Sequence, residues 1–202
     1  MANSTTTCTA EEALDRLKDG NARFVRNEAR FSTHREDLAG LVAGQSPYAT
    51  ILGCSDSRVP PELIFDAGFG ELFVIRVAGN VLGPAILGTL QYAASHLHTP
   101  LFVVLGHEGC GAVDATIALK KTGAMQKSRI QFLLREILPG LEGLDLQQPP
   151  EALLRAAVEA NVRETVRQLL ATEEARARVE EGHMQLVGAV YELETGRARF
   201  LE

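Results

Sequence analysis

The hydrophobic positions along this chain change period several times, and each change marks an element. Behind Thr9-Ala10-Glu11-Glu12, which has the Thr/Glu pattern of a capping box, Leu14, Leu17, Phe24 and Val25 recur at helical spacing. The pattern predicts an amphipathic helix of about four turns within residues 9–28. A helix placed ahead of the first core strand needs a surface to cover, either its own sheet or a partner subunit.

From Pro47 the apolar residues bunch into short runs: Tyr48 to Gly53 (YATILG), Glu71 to Val77 (ELFVIRV) and Pro100 to Gly106 (PLFVVLG). Continuous apolar runs of this length are typical of strands buried on both faces of a parallel sheet. Between the second and third, Leu87, Leu90, Ala94 and Leu97 keep helical spacing over Ile86 to Leu97. Further helices are predicted over Ala112 to Lys121, over Ser128 to Leu138, and from Pro150 to Leu170, where proline suits the first turn. A shorter one covers Glu173 to Glu181 and stops at Gly182. Met184 to Leu193 alternates like a late strand, and Thr195-Gly196 turns the chain into a short edge strand over Arg197 to Leu201. The expected fold is α/β. A mainly parallel central sheet is flanked by helices, with a late antiparallel edge strand and a projecting N-terminal helix. Without repeats, low-complexity segments or linkers, residues 1–202 read as a single domain.

Composition narrows the function. At 202 residues and 46% hydrophobic, the chain can bury a core without disulfides. The polar segment from Met1 to Cys8 lacks an apolar signal core, and no run is long enough for a membrane helix. The expectation is a cytoplasmic protein with no membrane partner. A net charge of −6 argues against nucleic acid, and the arginines from Arg155 to Arg178 are interleaved with Glu like a solvated helix face.

Two motifs carry the chemistry. Cys54-Ser55-Asp56-Ser57-Arg58 follows the first predicted strand, and Gly106-His107-Glu108-Gly109-Cys110-Gly111 follows the third. In open α/β sheets sites form beyond the carboxyl ends of strands, so neighbouring strands would bring Cys54 and Cys110 together. His107 and Cys110 are close enough for one turn to aim both at one ion. Two thiolates and an imidazole suit zinc, and carboxylate or water can complete its tetrahedron. Oxygen-seeking Mg²⁺ or Ca²⁺ would not choose these ligands, while iron is compatible with them. A Cys54–Cys110 disulfide is the alternative, but the chain has only three cysteines, and Cys8 lies in a polar tail.

Arg58 can hold Asp56 in a two-pronged ion pair, which keeps the carboxylate charged and off the metal. Asp56 is then free to orient a water made acidic by zinc. Without that restraint Asp56 could close the site as a fourth ligand. Glu108 reads as a solvated loop carboxylate, and His34, His96, His98 and His183 show no ligand spacing.

These residues resemble the β-class carbonic anhydrases, whose signature is Cys-x-Asp-x-Arg followed by Gly-His-x-x-Cys-Gly. The similarity extends to Phe73 to Asn80 (FVIRVAGN) and to Leu186 to Gly196 (LVGAVYELETG). It implies zinc-dependent interconversion of CO₂ and bicarbonate. It further implies zinc ligands Cys54, His107 and Cys110, a catalytic dyad Asp56–Arg58, and a substrate pocket of Gln45, Phe73 and Tyr92. Phe73 and Tyr92 correspond to apolar wall positions often supplied by a neighbouring subunit. The resemblance implies a homodimer or tetramer, with the N-terminal helix packed across the dimer interface. Some bacterial members carry a bicarbonate-inhibition site with tryptophan three residues before the first Cys ligand; this chain has Ile51 there and no tryptophan. The plant-like, non-allosteric type is therefore expected. Two alternatives stay open: hydrolysis of a CO₂ analogue such as CS₂ or COS, and a closed structural zinc site with Asp56 as a permanent ligand.

Overall fold

A computed structural model describes residues 8–32, 34–125 and 127–202. It holds a five-stranded sheet built from β1 (Ala49–Gly53), β2 (Leu72–Arg76), β3 (Leu101–His107), β4 (Gln185–Tyr191) and β5 (Ala198–Phe200). The order is β2-β1-β3-β4-β5. The first four strands are parallel, and β5 returns antiparallel to β4. Every residue of β1 and β3 is buried, as their uninterrupted apolar runs require. β2 forms one outer edge of the sheet.

The helices are α1 (Ala10–Val25), α2 (Pro61–Ile64), α3 (Pro84–Tyr92), α4 (Gly111–Thr122), α5 (Ile130–Ile137), α6 (Pro150–Leu170) and α7 (Glu173–Glu180). The α1 capping box forms as the sequence predicts: the Glu12 N–H donates to Thr9 Oγ1 at 3.2 Å, and the Thr9 N–H donates to Glu12 Oε2 at 2.7 Å. α1 buries Ala13, Leu17, Gly20 and Asn21 against its own chain. Gly20 is required at that contact, since a Cβ there would lie 1.9 Å from the Phe65 carbonyl oxygen. Asn21 donates to the Ile64 and Gly196 carbonyls and accepts from the Ala198 N–H, tying α1 to α2 and to the β4–β5 turn. The outer side of the helix is exposed.

Two departures from the predicted elements are local. The helix expected to run to Leu97 widens into a π turn over Ala93–Leu97 and ends at His98, which has φ 53°. A 3-10 stretch, Arg35–Leu41, and the one-turn α2 were not predicted, because neither carries a full amphipathic period. Among the described residues no helix is long and apolar enough to cross a membrane.

Candidate metal centre

β1 and β3 are parallel neighbours, with Gly53 in register with Leu105. Both therefore end at the same edge of the sheet, and the two motifs meet there. Cys54 follows β1 directly, His107 is the last residue of β3, and Cys110 is the N-cap of α4. One ligand atom each from Cys54, His107 and Cys110 lies within 4.8 Å of the others, and all three residues are buried. Both cysteines are free thiols, so the disulfide alternative is not realised.

The donor set fits a zinc ion. His107 is 1% exposed, and its Nε2 is buried without a hydrogen-bond partner. Leaving such a nitrogen unpartnered costs the full desolvation penalty, which a cation at the cluster would remove. The other ring nitrogen, Nδ1, is 2.8 Å from the Glu108 carbonyl oxygen, the outer-shell contact that fixes the tautomer of a ligand histidine. The two sulfurs perturb each other. The Cys54 thiol is drawn down by the neighbouring Cys110 thiol, with help from His107 and the Gly79 N–H, against the opposing effect of burial. Cys110 is pushed up, first by the Cys54 sulfur and then by burial, while the first amides of α4 pull it the other way. Two buried thiols set against each other in this way can give up their protons to a cation placed between them.

Asp56 and Arg58 form the expected pair. Arg58 Nε donates to Asp56 Oδ1 at 2.9 Å, and Nη2 donates to Oδ2 at 2.7 Å. The Arg58 backbone N–H adds a third bond to Oδ1 at 3.0 Å. Arg58 holds the Asp56 carboxyl well below the usual carboxylate range, outweighing partial burial. Oδ2 lies 3.9 Å from the unpartnered His107 Nε2, so the carboxylate borders the donor cluster without joining it.

Arg76, at the end of β2, supports this loop from beneath. Its Nε donates to the Cys54 carbonyl at 2.9 Å, and its Nη2 donates to the Asp56 carbonyl. The Gly79 N–H points at Cys54 Sγ, 3.4 Å away. Sequence patterns could not find that donor, because a backbone amide has no side-chain signature. Glu108 has a structural partner: Oε2 accepts the Leu193 N–H at 3.1 Å.

Gln45, Phe73 and Tyr92 are not gathered at this edge. Gln45 is exposed ahead of the amino end of β1. Phe73 is in register with Thr50, four residues before Cys54, or about 13 Å along the strand. Tyr92 is 46% exposed, with its ring 6.2 Å from that of Phe73 and stacked on His96 at 4.7 Å. The two aromatics thus form a shared surface beside the outer strand.

A family model described as carbonic anhydrase matches residues 49–198, which include β1 to β4, the start of β5 and the whole donor cluster. Carbonic anhydrase 2 of Mycobacterium tuberculosis is 40% identical, over 90% of this chain and 88% of its own length. The carbonic anhydrase of Mycolicibacterium smegmatis is 38% identical over the same shares. Among solved structures, the β-carbonic anhydrase CcaA has a TM-score of 0.74 at 27% identity, covering 94% of this chain and 95% of its own. The β-carbonic anhydrase CafA of Aspergillus fumigatus has a TM-score of 0.75 at 26% identity, covering 95% and 90%. The family match over most of the chain, the curated relatives at 40% and 38% identity and the shared α/β fold place it: the chain belongs to the β-class carbonic anhydrases.

Proposed function

We propose that Cys54, His107 and Cys110 hold the zinc with which this β-carbonic anhydrase interconverts CO₂ and water with bicarbonate and a proton. Zinc supplies Lewis acidity, which makes water a nucleophile near neutral pH. The residues of the chain do the rest. Two thiolates and an imidazole would hold the ion, a donor set that catalytic zinc sites complete with solvent. Asp56, kept ionised by Arg58, accepts a hydrogen bond from the attacking water and turns its lone pair toward CO₂. Arg58 also approaches the Gly109 carbonyl at 3.4 Å, linking the two motif loops.

The observation that carries this reading is the clamp on Asp56. Both carboxylate oxygens accept from Arg58, and Oδ2 stands 3.9 Å from His107 Nε2, which favours a place for Asp56 beside the donors over one among them. A permanently closed structural site would need Asp56 released. The test is stopped-flow CO₂ hydration by zinc-loaded protein and by Asp56→Asn. The variant keeps one zinc per chain and loses about 10²–10³-fold in kcat, within the range for a positioned proton acceptor. Parent rates no faster than buffer at full zinc loading would remove the assignment.

The substrate pocket is proposed to be completed by a second copy of the chain. The outer edge of β2 has no strand partner among the described residues, and Phe73 and Tyr92 lie beside it. A two-fold neighbour across that edge can bring Gln45, Phe73 and Tyr92 to the metal of its partner, so the homodimer is the functional unit and a tetramer its doubled form. The exposed side of α1 is then available to the same neighbour. The plant-like, non-allosteric type is part of this proposal. Ile51 is fully buried in β1, and Arg76 is engaged with the Cys54 and Asp56 carbonyls. A cytoplasmic location agrees with three free thiols, which a reducing compartment preserves.

A further inference from the structure

The Gly79 amide reaches the Cys54 sulfur from a turn of unusual shape. Ala78–Asn80 forms a single 3-10 turn after β2, and two successive residues in it are left-handed: Gly79 at φ 71° and Asn80 at φ 45°. Only the first is glycine, and Asn80 is 1% exposed. Such a conformation persists only where the surroundings impose it. The turn is closed on one side by the Asn80 N–H, which donates to the Val77 carbonyl at 2.9 Å. On the other side, Asn161 reaches out from the middle of α6, and its Nδ2 donates to the Gly79 carbonyl at 2.9 Å. Asn161 is 2% exposed, and nothing in the established reaction employs it. A buried carboxamide in an apolar helix face is costly unless its bonds serve a purpose.

We propose that Asn161 is a positioning residue for the metal centre: its carboxamide holds the Gly79 turn so that the Gly79 N–H is aimed at the Cys54 sulfur. The inference rests on Cys54 being a zinc ligand. Its physical content is that an N–H donor on a ligand thiolate drains charge from the sulfur. Less charge passes to the metal, and the ligand is fixed in orientation. Outer-shell partners of this kind tune both affinity and ligand electronics. The path from α6 to the metal is short and continuous: the Asn161 carboxamide, the Gly79 peptide, the Cys54 sulfur.

The experiment compares parent, Asn161→Ala, Asn161→Ser and Val166→Ala, all as full chains. Val166 lies on the same helix but packs toward Gly188 of β4. It controls for a general loosening of α6. Zinc affinity is read by competition with a chromophoric chelator, and ligand electronics by the sulfur-to-metal charge-transfer band of the cobalt(II)-loaded protein. Both Asn161 variants are expected to lose about tenfold in zinc affinity, the low end for outer-shell partners because Asn161 acts through Gly79. Their charge-transfer band moves to longer wavelength as the sulfur regains charge, while that of Val166→Ala stays at the parent position. An unmoved band with affinity within twofold of the parent overturns the proposal. So does an equal shift in Val166→Ala, or failure of both Asn161 variants to fold. A Cys54→Ser protein that binds zinc as tightly as the parent, with the same cobalt band, overturns the ligand assignment itself, a separable outcome.

Discussion

Replacing Gly79 with alanine brings two distinct costs, and the structure allows each to be sized. The first is conformational: at φ 71° an L-residue pays about 1–2 kcal/mol that glycine avoids. The second is steric. A Cβ at Gly79 would sit 2.7 Å from Ile137 Cδ1 and 3.2 Å from Ala112 Cβ. Ile137 is fully buried on α5, so its terminal methyl cannot swing into solvent. Overpacking at such a site costs about 1–3 kcal/mol. Gly79→Ala should therefore lose about 2–5 kcal/mol, a large part of the about 5–15 kcal/mol that holds a typical domain together.

The two costs separate in a double-mutant cycle. Ile137→Val removes Cδ1, and alone it costs about 0.5–1.5 kcal/mol through a small cavity. In the double variant the alanine methyl meets the remaining Ile137 position, Cγ1, at the ordinary distance of 3.5 Å. Most of the clash disappears and the conformational cost stays. Gly79→Ala/Ile137→Val should thus be more stable than the sum of the single losses predicts, by about 1–2 kcal/mol. Urea unfolding with saturating zinc in every sample measures all four corners, and equal slopes establish that midpoint differences report stability. Simple additivity to within about 0.5 kcal/mol would refute the steric part of the reasoning.

Two further outcomes follow from other parts of the molecule. Asp66 has a buried side chain that pairs with Arg23 and accepts the N–H groups of Arg30 and Phe31. Burial opposes its ionisation, but Arg23 and the two amides outweigh it and lower the folded-state pKa. The stabilisation is then fully present above the unfolded value of about 3.9 and lost as pH falls through the lower folded value. The stability of the parent should drop more steeply with acid below about pH 4 than that of Asp66→Asn, and parallel urea-midpoint profiles would count against it. The second outcome concerns the shared pocket. Co-expressing Asp56→Asn chains with Phe73→Ala/Tyr92→Ala chains in equal amounts should leave about a quarter of sites intact, because half of randomly formed dimers contain one wild-type site. If pocket and metal belonged to one chain, no mixture would exceed the average of the two parents.

The strands were legible because burial on both faces demands unbroken apolar runs, and β1 and β3 are such runs. The donor cluster was legible because its residues are set by chain-local geometry. Cys54 and Asp56 share one loop, His107 and Cys110 share one turn, and only the adjacency of β1 and β3 had to be supplied by the fold. The Asp56–Arg58 clamp is local for the same reason. What escaped were contacts whose partners lie far apart in sequence and carry no distinctive side-chain pattern. Arg76 was visible, but its bonds to two backbone carbonyls were not. Asn161 sits mid-helix in a stretch that reads as ordinary amphipathic sequence, and its partner is a carbonyl 82 residues away.

That division has a physical basis that bears on how the site works. Reactive groups are few, chemically distinctive and clustered in short motifs, whereas the groups that hold them in register are amides and carbonyls present at every residue. In this chain the Cys54 loop is held through backbone groups: its own carbonyls accept from the Arg76 side chain, its sulfur accepts from the Gly79 N–H, and the Gly79 carbonyl accepts from the Asn161 side chain. None of these partners touches the donor cluster through a charged atom of its own except Arg76, and that charge is spent on carbonyls. Asp56 is consequently the one carboxylate bordering the metal donors among the described residues whose position is set by a side chain that solvent can reach, since Arg58 is half exposed. Altering Arg58 should free Asp56 while the sulfur and nitrogen donors stay in place, so the clamp is the part of the site that can move independently of the rest.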